Sequence, residues 1–252
     1  PLGTPENQNV PLITIFDPVV AVLVDSGRNL WILGDTRGCL ERINRALALA
    51  REIGHPDSLS FALVFHAWMH GYREDWATCL RSSSEGLALS AKHGLAQTGA
   101  WNQCIHGWAL AHAGRAPDGL VELQAGIDDS MRLWGKVAMS QFHAMLAEVL
   151  IIRGEPAHAL DEIQRMLTET ETTRDRYVNA ELHRLDAACH LTLGEPESAE
   201  AALNQAIEVA RGQGALTFEL RAAAALGHLW FERGENERAS ALVRGVLDAI
   251  GD

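Results

Sequence analysis

The 252-residue chain is poor in cysteine, in basic side chains and in long apolar runs, and each shortage excludes a class of protein. Four cysteines are too few and too scattered for a disulfide framework, so we expect small, reduced core residues. The longest apolar run, from Pro18 to Val24, is far shorter than the ~20 residues that a membrane-spanning helix needs. The sequence therefore predicts a cytoplasmic protein without a membrane segment.

Basic residues are outnumbered by acidic ones. The chain has 33 Asp and Glu against 21 Lys and Arg, which gives a formal net charge of −12. This balance disfavours nucleic acids and anionic membranes as partners. Apolar residues nevertheless make up 47% of the chain, which is enough for a continuous core and argues against disorder.

Motifs of nucleotide binding and catalysis are also missing. No glycine is followed by Lys-Ser or Lys-Thr, as a phosphate-binding loop requires. His66 and His70 are four residues apart, as in metal-binding helices, but no glutamate stands beside His66 and no third ligand is evident. The serines at 82–84 have no obvious base nearby. We therefore predict no enzyme, no cofactor and no metal site, and we interpret the histidines as core or inter-helix residues.

What the chain does contain is glycine at a stride of 40 residues. A period of this length is typical of a repeat array. Position 74, occupied by Glu74, is the one point of the series without glycine. The glycines of this series are Gly34, Gly114, Gly154, Gly194 and Gly234.

Other residue classes keep the same phase. Small residues stand five positions after and seven positions before each point, and Leu or Ile stands thirteen positions after it. Small residues allow two helix backbones to approach closely, and the aliphatic residue packs on the next unit. The three series are Cys39, Cys79, Gly119, Ala159, Ala199 and Ala239; Gly27, Ala67, Gly107, Ala147, Ala187 and Gly227; and Leu47, Leu87, Ile127, Leu167, Ile207 and Leu247.

The pattern predicts an all-α fold of about six helical hairpins, stacked as a right-handed superhelix in the form of a broad ribbon. Each helix should have roughly 16 to 18 residues once the turns are subtracted. A second glycine series marks the other end of each hairpin, at Gly54, Gly94, Gly135 and Gly214. The fourth hairpin lacks this glycine, so we expect the polar stretch 168–174 to be a longer, looser connection.

The ends of the chain give a domain division. Residues 1–16 lack a helical period, and Pro1, Leu2 and Gly3 look like the remnant of a cleaved tag, so we assign 1–16 as tag remnant and linker and 17–252 as the solenoid. We expect the chain to be part of a longer protein. The last repeat has no polar capping helix, which predicts an exposed apolar end that either self-associates or is covered by a continuation of the natural chain.

Short helical hairpins with small residues at two fixed points and a Gly-Asp or Gly-Glu turn resemble tetratricopeptide repeats (TPRs), although the period of 40 departs from the usual 34. Four segments, at 30–34, 48–55, 180–185 and 219–223, resemble the C-terminal repeat region of multidomain bacterial signalling ATPases, including cyclase-linked and LuxR-like regulators. This resemblance implies a module that senses or docks while other domains catalyse.

In the resembled family, the first helix of each repeat lines the concave face. We therefore predict partner binding, without catalysis, by a set of aromatic, charged and histidine side chains on that face. The partner would be a peptide, a helix or a neighbouring domain; alternatively, the aromatic cluster encloses an apolar small molecule, or it only packs between repeats. The predicted residues are Arg28, Trp68, Tyr72, Trp101, Trp108, His112, Glu148, Glu181, Arg184, Arg221 and His228.

Overall fold

A computed structural model describes residues 15–134 and 139–251, and all regular structure in these ranges is helical. Within these ranges, twelve helices pair as six antiparallel hairpins. This architecture confirms the predicted all-α solenoid. The helices are α1 (Pro18–Ile32), α2 (Thr36–Ile53), α3 (Pro56–Tyr72), α4 (Trp76–His93), α5 (Ala96–His112), α6 (Ala116–Trp134), α7 (Ser140–Ile152), α8 (Pro156–Thr173), α9 (Asn179–Leu193), α10 (Pro196–Gln213), α11 (Leu216–Glu232) and α12 (Asn236–Ile250).

The glycine series marks the turn between the two helices of each hairpin. Every glycine of the series has a positive φ, between 78° and 92°, which is the left-handed conformation that ends a helix. Glu74 takes the same conformation, with φ 61°, although it carries a side chain. The backbone geometry of the turn is therefore kept in all six hairpins.

The second glycine series ends the other helices in the same way, with two differences from the prediction. In the fourth hairpin, Arg174 replaces glycine in the left-handed position, with φ 62°. The stretch 168–174 is not a loose connection as predicted, because α8 continues through Thr173 and the connection comprises only residues 174–178. Gly135 and the predicted linker 1–14 lie outside the described residues.

The small positions hold the two helices of a hairpin together at short distance. A Cβ atom added to Gly107 of α5 would lie 2.5 Å from the backbone nitrogen of Leu123 and 2.6 Å from the carbonyl oxygen of Gly119, both in α6. Real Cβ atoms do not approach backbone atoms this closely. Glycine at position 107 therefore permits the contact between α5 and α6.

The superhelix is wound so tightly that its first and last repeats touch. The Thr217 hydroxyl of α11 donates a hydrogen bond to the backbone carbonyl of Trp31 in α1. The rings of Trp31 and Phe218 meet edge to face with centroids 5.1 Å apart, and Ile250 packs against Gly34. The expectation of a broad ribbon is therefore wrong, because large side chains from both ends of the array meet near its axis.

The apolar end of the array is only partly covered by this closure. Phe231 and Leu247 remain 62% and 50% exposed.

No helix within residues 15–134 and 139–251 combines the length and apolar character that spanning a bilayer requires.

Gly107→Ala should destabilise the array, because the added methyl group clashes with backbone atoms of α6. We expect a loss of about 1–3 kcal/mol in the free energy of unfolding, as for other overpacked cores. Gly245→Ala is the matched control: Gly245 lies in α12 with open space around its Cα atom, so the change should be neutral or stabilising by about 0.5–1 kcal/mol. Urea denaturation of both variants checks this, and equal midpoints would contradict it.

Candidate functional site

The inner face of the superhelix is occupied largely by the chain's own aromatic side chains. Tyr72 of α3 stacks on Trp31 of α1 with ring centroids 4.2 Å apart, and it meets Trp108 of α5 edge to face at 5.8 Å. Its hydroxyl donates a hydrogen bond of 2.9 Å to Oε1 of Gln141 in α7. The Arg221 guanidinium of α11 lies 5.4 Å from the Tyr72 ring centroid. Tyr72 therefore joins side chains of four other inner helices.

A buried ion cluster lies beside these rings. Glu181 of α9 accepts hydrogen bonds from Arg184 at 2.7 and 3.0 Å and from Arg221 at 2.9 and 3.2 Å. Burial by itself raises the pKa of Glu181, but the two guanidinium groups outweigh it and hold the pKa well below its ordinary value. Burial by itself lowers the pKa of Arg221, but the Glu181 carboxylate outweighs burial, so the pKa of Arg221 is raised overall. The cluster is thus a pairing of α9 with α11 that is charged at neutral pH.

Trp108 and His112 of α5 belong to a second polar contact. The Trp108 indole N–H donates a hydrogen bond of 2.7 Å to Oε2 of Glu148, and His112 Nε2 lies 3.7 Å from Oε1 of the same carboxylate. Burial by itself raises the pKa of Glu148. The lowering by His112, Arg184 and Arg221 is larger, so the pKa of Glu148 is lowered overall. Trp108 is only 2% exposed. In this structure Trp108 therefore packs between repeats.

A cavity of about 180 Å³ opens between the inner helices α1, α3, α5 and α7. Aromatic rings from four parts of the chain form most of its wall. Polar groups are present at one side. The lining residues are Asp25 and Arg28 of α1, Phe61, Val64, Phe65 and Trp68 of α3, Trp101 of α5, Gln141 and Phe142 of α7, and Tyr177 of the connection before α9.

Two buried N–H groups of the lining residues have no hydrogen-bond partner. They are Nε of Arg28 and Nε1 of Trp68. The Tyr72 hydroxyl is close enough to influence the Trp68 N–H, but no hydrogen bond of good geometry joins them. A buried donor without a partner costs roughly 1–3 kcal/mol. Neither atom has surface that a water molecule reaches, so neither donor faces the open space of the cavity.

The predicted site residues separate into three groups. Arg28, Trp68 and Trp101 line the cavity. His228 stands apart, with its side chain 73% exposed and paired only with Glu232 at 3.5 Å. The remaining residues form the packed and ion-paired part of the inner face: Tyr72, Trp108, His112, Glu148, Glu181, Arg184 and Arg221.

Several inner residues were not predicted from the sequence. Trp31 lies three positions before Gly34, so the repeat phase could have identified it. Phe218 lies sixteen positions before Gly234, more than four helical turns away, and Tyr177 lies in a connection outside the repeat pattern. Neither gives a sequence signal. Only the closure of the superhelix brings them to the inner face.

Several histidines lie against a neighbouring polar side chain, and the cysteines are buried. His66 lies 2.9 Å from the Ser82 hydroxyl, and His106 and His143 each lie 2.5 Å from a glutamate of the following helix. Across the described ranges, no three His, Cys, Asp or Glu side chains come together in a way that would hold a metal ion. The four cysteines are buried and free, and burial raises the pKa of Cys39 to about 11. Their prediction as reduced core residues is confirmed.

Comparison with known proteins gives one curated relative and several solved structures of similar fold. No protein-family model matches the chain. An uncharacterized protein of Rhizobium meliloti (strain 1021) is 27% identical over 207 residues, which are 82% of this chain and 20% of that protein. The chain therefore spans about a fifth of the length of this curated relative.

Solved TPR structures share the fold. A thermophilic TPR protein of Thermus thermophilus is 20% identical, with a TM-score of 0.55 over 82% of this chain and 98% of that chain. A Rap protein complexed with Competence and Sporulation Factor is 10% identical, with a TM-score of 0.63 over 92% of this chain and 77% of that chain. The architecture is that of a TPR-like α-solenoid.

Glu181→Gln should reduce stability near neutral pH by about 3 kcal/mol, because it leaves two inner guanidinium groups without their carboxylate. Since the folded-state pKa of Glu181 is lowered, the stabilisation is complete above about pH 4.5 and is lost as the pH falls below that value. The difference between wild type and variant should therefore shrink on acidification. Urea midpoints at several pH values check this.

Glu237→Gln in α12 is the matched control, since Glu237 is exposed. It should leave the midpoint nearly unchanged. A deficit of Glu181→Gln that stayed constant down to the acid limit of folding would show that the carboxylate charge is not responsible.

Proposed function

We propose that this chain is a non-catalytic interaction and regulatory module of a longer bacterial signalling protein, whose inner face docks a peptide, a helix or a neighbouring domain. The module would bind its partner on the inner face while chemistry takes place elsewhere in the parent protein. A change in partner occupancy would set the activity of the other domains. The proposal depends on one observation, the cavity lined by aromatic rings on the inner face.

The cavity carries the proposal because the neighbouring inner-face clusters are already paired. The polar groups there already have partners. The Tyr72 hydroxyl bonds to Gln141 and the Trp108 N–H to Glu148. Arg221 bonds to Glu181 and lies over the Tyr72 ring. A partner that displaced them would have to replace buried ion pairs, which is costly. At the cavity, by contrast, a partner gains contacts with aromatic rings that the chain leaves uncovered.

The size of the cavity limits what can enter it. About 180 Å³ is close to the ~150 Å³ of an apolar protein cavity that holds benzene, and below the ~300–1,000 Å³ of sites for drug-sized ligands. A partner segment would therefore insert one aromatic or branched side chain and rest the remainder on the rim. This is the anchor geometry of many peptide-binding surfaces.

The comparisons support the wider setting of the proposal. The Rap structure is of a TPR-like chain in a complex with Competence and Sporulation Factor. The matched part of the R. meliloti protein is a fifth of its length, which favours a module beside other domains. Four buried free thiols favour a reducing compartment, so we place the protein in the cytoplasm.

Trp101→Ala should weaken binding of a docked peptide at least tenfold, because it removes a ring from the cavity wall. Peptides selected from a displayed random library on the wild-type chain would be the probes, with affinity measured by fluorescence anisotropy. Phe231→Ala is the control, since Phe231 is an exposed aromatic residue outside the cavity lining. Selected peptides that bind Trp101→Ala as tightly as wild type would place docking elsewhere.

A second candidate function is a small-molecule sensor, and the enclosure of the cavity by rings favours it. Here a free ligand of about one ring fills the cavity, and the curvature of the solenoid differs between the empty and the filled state. This candidate needs no protein partner.

A metabolite library tested by thermal shift and native mass spectrometry separates the two candidates. A sensor should retain a small molecule and gain melting temperature in the absence of peptide, by linkage between binding and folding. Trp101→Ala should abolish the shift, and Phe231→Ala should keep it. A ligand-induced rise in melting temperature that is also seen in Trp101→Ala would argue against binding in the cavity.

Self-association through the end of the array stays a prediction. Phe231 and Leu247 are at least half exposed there, which suits contact with a second copy or with a further helix.

A further inference from the structure

We infer that a groove on the outer face, between the third and fourth hairpins, docks a short amphipathic helix of a partner protein that carries aliphatic side chains with a basic residue beside them. The walls of the groove are α6 and α8, its floor is α7, and its volume is about 660 Å³. It shares no lining residue with the aromatic cavity. The inference therefore goes beyond the proposed function and does not depend on it.

The groove has an apolar wall and an apolar floor. Val121 of α6 is 69% exposed, and Ala125 follows it one turn later along the same wall. Leu146 and Leu150 of α7, also one turn apart, form the floor. Covering these side chains with a partner removes apolar surface from water, which favours association.

The repeat itself does not require these apolar residues. The equivalent positions in the two adjacent grooves, forty residues earlier and forty residues later, hold polar or charged side chains. For Val121, Ala125 and Leu146, they are Arg81, Glu85 and His106 in the groove before, and Asp161, Arg165 and Asp186 in the groove after. Packing within the repeat therefore does not account for the apolar character of this groove.

A further groove with an apolar floor, between the fifth and sixth hairpins, is covered by the chain itself. Trp230 stands there at the position of the second floor leucine. The Arg238 guanidinium lies 3.6 Å from the centroid of the Trp230 ring, and the indole N–H donates a hydrogen bond of 2.9 Å to Glu200. In the groove between α6 and α8, His158 takes the place of Arg238, but its side chain is 73% exposed and lies 3.1 Å from Glu155. The floor between α6 and α8 therefore stays accessible.

The spacing of the lining residues selects a helix. Each side of the groove contributes a pair of residues four positions apart: Val121 with Ala125, Leu146 with Leu150, and His158 with Glu162. Residues at this spacing form ridges along a helix, and the corresponding ridge of another helix packs between them. The wall from Val121 to Asp128 is about 10 Å long at 1.5 Å per residue, so the partner contributes about two helical turns.

The charge around the groove selects a basic partner. Together, α6 and α8 contain eight Asp and Glu against two Arg. On one wall, Glu162 is already paired with Arg165 at 2.6 Å. On the other wall Asp128 is exposed, and within the described residues its carboxylate accepts a hydrogen bond only from the neutral amide of Gln124, at 3.0 Å. A Lys or Arg of the partner therefore has a counter-ion at Asp128.

Three labelled peptides test the class of partner. Each is an alanine-based helix of about 15 residues. The first has two leucines four positions apart with a lysine on either side of the pair; the second has glutamate in place of lysine, and the third has serine in place of leucine. Fluorescence anisotropy should show that the first binds at least about tenfold more tightly than either of the others, with an affinity that falls as salt is added. The inference is overturned if the first peptide does not bind, or if the second or the third binds as tightly.

Val121→Gln should weaken binding of the lysine peptide about tenfold, because it removes the exposed aliphatic side chain of the wall. Val22→Gln is the matched control and should bind like wild type, since Val22 of α1 is similarly exposed, at 66%, and lies outside the groove. Circular dichroism establishes that both variants are folded. Equal affinities of the two folded variants overturn the inference.

Asp128→Asn should weaken the same peptide about two- to fivefold, as for the loss of an exposed ion pair, and should make its affinity less sensitive to salt. Asp248→Asn is the matched control, because Asp248 is exposed and occupies the same repeat position in α12. Equal weakening in both variants would show attraction by overall charge alone and would overturn the inference. Binding of the lysine peptide that depends on Trp101 and not on Val121 would place it in the aromatic cavity and would also overturn the inference.

Discussion

Tyr72 is the side chain on which the inner face depends. It stacks on a ring of α1, touches a ring of α5, donates a hydrogen bond to α7 and lies under a guanidinium of α11. In an ordinary solenoid each repeat contacts only its neighbours. Here one phenol connects repeats that are far apart in sequence, so the array behaves as a closed body and not as an open ribbon.

Contacts within and between neighbouring repeats explain why a buried charge is tolerated here. Glu181 would be costly alone, but Arg184, one turn along α9, and Arg221, one repeat further on, lie within hydrogen-bond distance of both its oxygens. Arg221 in turn lies against Tyr72. Aromatic packing and ion pairing therefore support each other, and a change in either would reach α1 through the contact of Trp31 with Phe218.

The cavity is the part of the inner face that this packing does not fill. Around Tyr72, rings and ions of α1, α3, α5, α9 and α11 contact one another. Beside them, Trp68 and Arg28 line a space of about 180 Å³.

The sequence by itself determined the repeat. The stride of 40 gave the hairpin turns, because a left-handed turn and a close helix contact each restrict the residue locally, as Gly34 and Gly107 show. Glu74 and Arg174 show the limit of that reading, since both adopt the turn conformation without glycine. Only the tertiary structure decided that α1 contacts α11. It also decided that Trp108 packs between repeats, whereas Trp101 and Tyr177 line the cavity. The physical reason is that superhelical winding sums small rotations between all repeats, and no local pattern encodes that sum.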